Sequence, residues 1–311
     1  MPALLLAQAP KRFRVGCLYV ADDAFVRLFQ EAFLAGMRER GYVPGRNLEV
    51  DIRYARGDMN RLSALADELI ALKPDVLFGI EAVAIVMRAR TSTIPIVFPS
   101  SNDPVAAGLA QSLARPGSNV TGIAALGDQI VAKHVELLVD IVPGISRIAL
   151  VNDPLAPAAS RFEQFARAAA ATKGVALTVS GVKDSAGLHE SFETIEKERA
   201  QGIIVATTGR LNQLRQEIIS QARRLRLPSI SALPAAAWAE VGGLVTYATN
   251  GLENFRYAAS YVDRILKGAR PADLPIEQSA KFEFVINLRT AREIGIAIPR
   301  SVLLRADRVI E

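Results

Sequence analysis

The feature that most constrains the fold is a pattern of short apolar β-rich runs alternating with amphipathic helical stretches, which the chain goes through twice. "FRVGCLYV" is an unbroken apolar run bounded by polar residues, as a parallel strand buried on both faces requires. A helix with Phe25, Phe29, Phe33 and Met37 at spacing four follows and closes at Gly41. "LEVDIRYA" alternates apolar and charged residues, the mark of an outer strand, and Asp58 caps a helix with Leu62, Leu65, Leu69 and Leu72 on one face. "DVLFGI", a helix through Arg90, "IPIVF" and a helix from Pro104 to Ala114 complete the first half. The second half repeats the order with "RIALV", a helix over 157–172 closed by Gly174, "VALTVS", a helix around 186–199, "GIIVAT", a helix over 210–225 and "PSIS". The expectation is an α/β protein with two doubly wound parallel-sheet lobes.

At 311 residues the chain is long for a single core and suits two domains. Three segments are candidate crossings between lobes: the Gly-rich 117–127, "GGLVTYATNG" (242–251), and 271–287, whose prolines suit a linker or outer strand. Lobes of 12–124 plus 250–280 and 125–249 plus 281–311 follow, with 1–11 as a tail. Half of the residues are hydrophobic and 22% are charged, the composition of a folded chain, and no stretch approaches the roughly 18 to 20 apolar residues of a membrane span. The expectation is a soluble protein. Net charge is +5, but the 37 Lys and Arg are spread among 32 acids, and no helix-turn-helix, zinc-finger or aromatic-rich pattern accompanies them, so no nucleic-acid role is expected. Cys17 is the single cysteine; it excludes an internal disulfide and reads as a buried strand residue rather than an anchored one. "MPALLLAQA" is similar to the tail of a secretory signal lacking its basic start, which reads either as a truncated leader of an exported protein or as a short tail.

In open parallel sheets, ligands bind outside the carboxyl ends of the strands. Those ends here are Ala21-Asp22-Asp23, Gly79-Ile80-Glu81-Ala82, Ser100-Ser101-Asn102-Asp103, Asn152-Asp153-Pro154, Thr207-Thr208-Gly209-Arg210 and Ser231-Ala232. Most are small or polar and open a helix, offering unpaired N–H groups and a positive dipole end to a carboxylate. Singly, each is equally a cap or turn residue; together, six such loops on two lobes favour a ligand site. Within "PSSNDPVAAG", Ser101 and Asn102 are expected as contacts and Asp103 as the helix cap that holds them. Tyr19, Trp238 and Tyr247 are aromatic groups that either stack on a ligand or belong to the core.

Catalytic signatures are thin. There is no G-x-G-x-x-G, P-loop or G-x-S-x-G pattern, and His189-Glu190 has no second histidine to complete a zinc motif. With two histidines and one cysteine, neither a metal site nor a Cys–His pair is expected, and His134 and His189 read as surface or interhelix residues. No cofactor and no catalysis are expected.

Several long runs carry a family likeness: "GYVPGRNLEVDIRYARGD", "TSTIPIVFPSSNDPVAAGLAQSLARPGSNVTG", "VDRILKGARPADLPIEQ" and "KFEFVINLRTAREIGIAIPRSVLLRAD". Over about residues 12–311 the chain resembles the substrate-binding proteins of ABC uptake transporters, the group that includes tryptophan- and tyrosine-binding lipoproteins. The resemblance implies a type I periplasmic-binding fold of two Rossmann-like lobes with three crossovers. It also implies hinge closure on a small carboxylate-bearing ligand, an amino acid or aromatic acid, in an interlobe cleft. It further implies a periplasmic protein that delivers to an ABC permease, and a monomer is expected. Carried over by position, the implied contacts are Ala21, Asp22, Asp23, Gly79, Glu81, Ala82, Ser100, Ser101, Asn102, Asp103, Asn152, Pro154, Thr207, Thr208 and Asn250. Many relatives carry a Gly-Thr or similar small hydroxyl pair where this chain has Gly79-Ile80-Glu81-Ala82, so Glu81 either meets a ligand amine or faces solvent. Two rival functions remain, a cytoplasmic small-molecule sensor and an unrecognised enzyme using Asp22, Glu81 or Asp103.

Overall fold

The computed structural model describes residues 12–125, 127–156, 158–279 and 281–311, with the side chains of 127–129 outside the description. The leader-like segment 1–11 lies outside the described residues. In chain order the elements are β1 (Phe13–Tyr19), α1 (Ala24–Glu39), β2 (Leu48–Tyr54), α2 (Leu62–Ala71), β3 (Val76–Phe78), α3 (Glu81–Arg90), β4 (Ile96–Ser101) and β5 (Val120–Ala124). They continue with α4 (Gly127–Ile141), β6 (Arg147–Asn152), α5 (Ala159–Lys173), β7 (Ala176–Gly181), α6 (Ser185–Lys197), β8 (Ile203–Val205), α7 (Gly209–Gln213), α8 (Arg215–Arg224) and β9 (Ser229–Ser231). The chain ends with β10 (Val245–Thr249), α9 (Gly251–Leu266), β11 (Glu277–Gln278), β12 (Phe282–Asn287), α10 (Leu288–Ile294), α11 (Arg300–Leu303) and β13 (Arg308–Ile310).

Two sheets result, in the orders β11-β5-β4-β3-β1-β2 and β13-β12-β10-β9-β8-β6-β7. β1 pairs parallel with β2 and β3, and β3 with β4; β6 pairs parallel with β7 and β8, β8 with β9, and β9 with β10. This is the α/β architecture expected from the repeated pattern, with β2 at an edge as its alternation requires. Two compact units divide the chain. One takes the chain up to Ser100, Pro104–Ile123 and Leu252–Glu277; the other takes Ser101–Asp103, Ala124–Gly251 and Gln278–Glu311.

Three expectations need correction. The stretch from Pro104 to Ala114 forms turns instead of a helix: Gly108 has a positive φ of 70°, and the amides of Leu109 and Ala110 both return to the Pro104 carbonyl. An αL residue so early in the segment closes a turn before a helix can propagate. The helix expected over 210–225 breaks at Leu214 into α7 and α8. β12, placed within a linker or outer strand, is an interior strand that runs antiparallel to β10 and parallel to β13.

The core of the first unit explains the Phe-rich face of α1. Phe33 stacks on Phe78 of β3 at 4.0 Å, and Phe29 meets Phe255 of α9 at 4.8 Å. Ring pairs at such spacing add about 0.5–1.5 kcal/mol each to the burial of their area. The α1–α9 contact is closed by Gly36, where an added Cβ would lie 2.2 Å from the Arg256 carbonyl oxygen and 2.9 Å from the Ala259 Cβ. Only a residue without a side chain permits that approach. Gly36→Ala is therefore expected to destabilise the protein by about 1–3 kcal/mol, as overpacking of a tight core does. A lower urea midpoint at unchanged m-value is the check; a midpoint equal to wild type would show that the helices part without cost.

Candidate functional site

Parallel pairing brings the carboxyl ends of β1, β3 and β4 to one edge of the first sheet, and those of β6, β8, β9 and β10 to one edge of the second. In the first unit, Asp23 caps α1 by accepting the Val26 N–H at 2.8 Å. Asp22 faces Arg27 at 3.1 Å and Arg56 at 3.9 Å, and Arg56 is held in the left-handed region at φ 56°. Ala21 is half-buried beside them. At the next end, Gly79 lies so close to Val83 that a Cβ there would approach Val83 Cγ1 to 2.4 Å. Ile80 occupies the cap of α3 without a side-chain cap, and Glu81 and Ala82 form its first turn, where an acid suits the helix dipole.

β4 extends through Ser100 and Ser101, three residues beyond the "IPIVF" run that ends at Phe98, and Ser101 is buried within the strand. Asn102 and Asp103 follow, half-buried. Asp103 is not a helix cap, because no helix follows it; its carboxylate is bound by the Arg161 guanidinium, which projects from the first turn of α5. Arg161 carried no signal in the sequence, since nothing local ties it to a residue 58 positions earlier.

The second unit uses its polar strand-end residues largely on itself. The Asn152 amide donates to the Ala159 carbonyl at 2.8 Å while its Oδ1 accepts the Asp153 N–H at 2.9 Å. Asp153 is buried; it accepts the Leu155 N–H at 3.0 Å, and its second oxygen faces Arg210 Nε at 3.3 Å. Arg210 also donates to the Lys183 carbonyl, so this carboxylate joins the loops that follow β6, β7 and β8. Pro154 is exposed. Thr208 caps the five-residue α7 through the Leu211 N–H, whereas the buried Oγ1 of Thr207 makes no hydrogen bond. Asn250 donates its N–H to the Lys281 carbonyl at 2.9 Å, joining the end of β10 to the start of β12. Ser231 is fully buried and bonds the Val205 carbonyl.

Of the three aromatic candidates, Trp238 is fully buried and belongs to the core. Tyr19 is also buried, stacked on Tyr54 at 5.8 Å. Tyr247 is half-buried and stacks on Phe282 at 5.6 Å with the rings 6° from parallel. Cys17 is buried in β1, where burial pushes its thiol far above the usual range, so it is an inert core residue. Among the described residues no three His, Cys, Asp or Glu side chains gather as a metal site requires, and no helix is long and apolar enough to cross a membrane.

His134 is neither a surface nor an interhelix residue. It is fully buried between α4 and the sheet, with Nε2 bonded to the Tyr247 carbonyl at 2.8 Å. A carbonyl only accepts, so the proton sits on Nε2, and Nδ1 is left buried without a hydrogen bond. His189 is exposed and faces Glu193 at 3.3 Å.

The whole-length comparison decides the family. The sequence model of the ABC transporter substrate binding protein family matches residues 18–310. The chain belongs to that family. A tyrosine-binding protein of Clostridioides difficile is 27% identical over 143 residues, covering 45% of this chain and 41% of that relative, so the match spans about two fifths of the relative's length. A conserved domain protein of Vibrio cholerae has the same fold at a TM-score of 0.89 and 29% identity, over 96% of this chain and 100% of that one. A domain from Streptococcus pneumoniae, solved with L-Trp, superposes with a TM-score of 0.87 over 96% of this chain and 100% of its own; at 24% identity it shows the shared fold. The family likeness read from the Thr91–Gly122 run and its companions is thus correct.

Burial holds the pKa of His134 down at about 4, against the smaller upward pull of its bond to the Tyr247 carbonyl. In the unfolded chain the ring titrates near 6.5, so between pH 6.5 and 4 the unfolded state carries the extra proton. The stabilising contribution is full above pH 6.5 and is lost as pH falls toward 4. From pH 7 to pH 5 it amounts to roughly 2 kcal/mol. Urea unfolding at the two pH values is expected to show this loss in the wild type and to lack it in His134→Gln, whose amide still donates to the carbonyl.

Proposed function

We propose that this family member is the solute-binding component of an ABC importer, taking a small carboxylate-bearing ligand, an amino acid or aromatic acid, at the strand-end loops and handing it to a permease. The observation that carries the reading is the gathering of small and polar residues at the carboxyl edge of each sheet within a chain matched to the family over residues 18–310. Ligand polar groups would meet helix-start N–H groups and residues such as Asp22, Glu81, Asn102 and Thr207, and the remainder of the ligand would meet apolar or aromatic surface. The remaining strand-end residues proposed as contacts or loop supports are Ala21, Asp23, Gly79, Ala82, Ser100, Ser101, Asp103, Asn152, Pro154, Thr208 and Asn250. The two compact units correspond to the two lobes of the proposed binder. No chemical step is assigned to the chain, and the working compartment proposed is the periplasm, with the protein a monomer.

Two observations support an amino-acid or aromatic ligand: a partial relative is a tyrosine-binding protein, and a structural neighbour was solved with L-Trp. The test is a thermal-shift and calorimetric screen of L-tyrosine, L-tryptophan, L-leucine and benzoate. A ligand that binds only the folded state raises stability by RT ln(1 + [L]/Kd), about 2.7 kcal/mol at a hundredfold excess over Kd. A shift with at least one of these is expected; no shift and no heat with any of them would overturn the reading.

A further inference from the structure

An aromatic ladder runs from the core of the second unit out to the carboxyl edge of its sheet. β10 and β12 are antiparallel, with Tyr247 opposite Phe284 and Thr249 opposite Phe282. Phe284 is buried at 4% exposure and meets the edge of Tyr247 at 6.0 Å, while His134 meets the same ring at 6.2 Å and 89°. Phe282, the diagonal neighbour, lies flat on Tyr247 at 5.6 Å and 6°. Diagonal pairs across a ladder are within reach of aromatic side chains, so this stack follows from the register.

Phe282 nevertheless remains 42% exposed. A single exposed apolar residue means little by itself. Here three further facts bear on it. Its partner ring is fixed from two sides, by Phe284 and His134, and His134 also bonds the Tyr247 carbonyl. Because β12 starts where β10 ends, the exposed ring stands at the edge that also carries Asn152, Thr207 and Asn250. The Asn250–Lys281 hydrogen bond then fixes the backbone immediately before it.

We propose that Phe282, backed by Tyr247, is a specificity-determining contact that receives a planar ring of the ligand. This rests on the solute-binding reading above and narrows its ligand to one bearing an aromatic ring. Phe282 and Tyr247 supply a π surface in which Phe282 is already held against Tyr247, so binding a ligand ring there orders little protein side chain.

The experiment is calorimetric titration of wild type, Phe282→Leu, Phe282→Ala and Phe282→Tyr with L-tyrosine, L-tryptophan and L-leucine, alongside thermal melts without ligand. Phe282→Leu keeps the apolar bulk and removes only the ring. The wild type is expected to prefer an aromatic probe. Phe282→Leu and Phe282→Ala should weaken that probe about tenfold with melts close to wild type, while Phe282→Tyr stays within about threefold. Aromatic binding that is unchanged in Phe282→Leu and Phe282→Ala would overturn this inference and leave the solute-binding reading standing. A wild type that binds L-leucine in preference to both aromatic probes would overturn it as well. A wild type that binds none of the probes nor benzoate would overturn the solute-binding reading, and the inference with it.

Discussion

Everything at the candidate site depends on parallel strand pairing. A parallel ladder puts every carboxyl end on one side, and each connecting helix must begin there. Residues distant in sequence, Asn152, Thr207, Ser231 and Asn250 in the second unit, therefore reach one edge without any direct attraction between them. The same geometry leaves the first N–H groups of each helix at that edge, so caps and the proposed ligand contacts draw on the same few positions.

That competition sorts the residues. Asp23 and Thr208 are occupied as caps, and Asn152 and Asp153 as loop fasteners. Asp153–Arg210 and Asp103–Arg161 each set a carboxylate against a guanidinium, so a good part of the charge at the edge serves the loops themselves. Such pairs hold a loop in one arrangement.

The fold was largely legible because its signal is periodic and repeated. The fourfold spacing of Phe25 to Met37, the alternation in "LEVDIRYA" and the apolar run of β1 each leave one reasonable element. Legibility failed where a long-range partner decides. Nothing near Asp103 reveals that its carboxylate meets Arg161, and the capping pattern "NDPVAAG" suggested a helix that Gly108 stops at once. Trp238, left open between ligand and core, is settled by packing from Gly243, a neighbour whose approach to the indole no spacing rule anticipates. His134 lies on the predicted helix, but its burial is set by Tyr247, 113 residues away. Phe282 carries no local signal, because the 271–287 run reads equally as linker or outer strand; Phe282 and Phe284 gain meaning only from a register with β10.

The reversed direction of β12 has an evolutionary consequence. At a parallel strand's carboxyl end, a residue must often cap a helix or close a turn as well as face outward, so its replacement disturbs the frame. At the entry of a reversed strand no helix cap is demanded, and the side chain answers to its backbone pairing and to the one ring it stacks on, Tyr247. If Phe282 meets the ligand as proposed, position 282 is a place where ligand preference is retuned by a single codon, while the scaffold that presents it stays as it is.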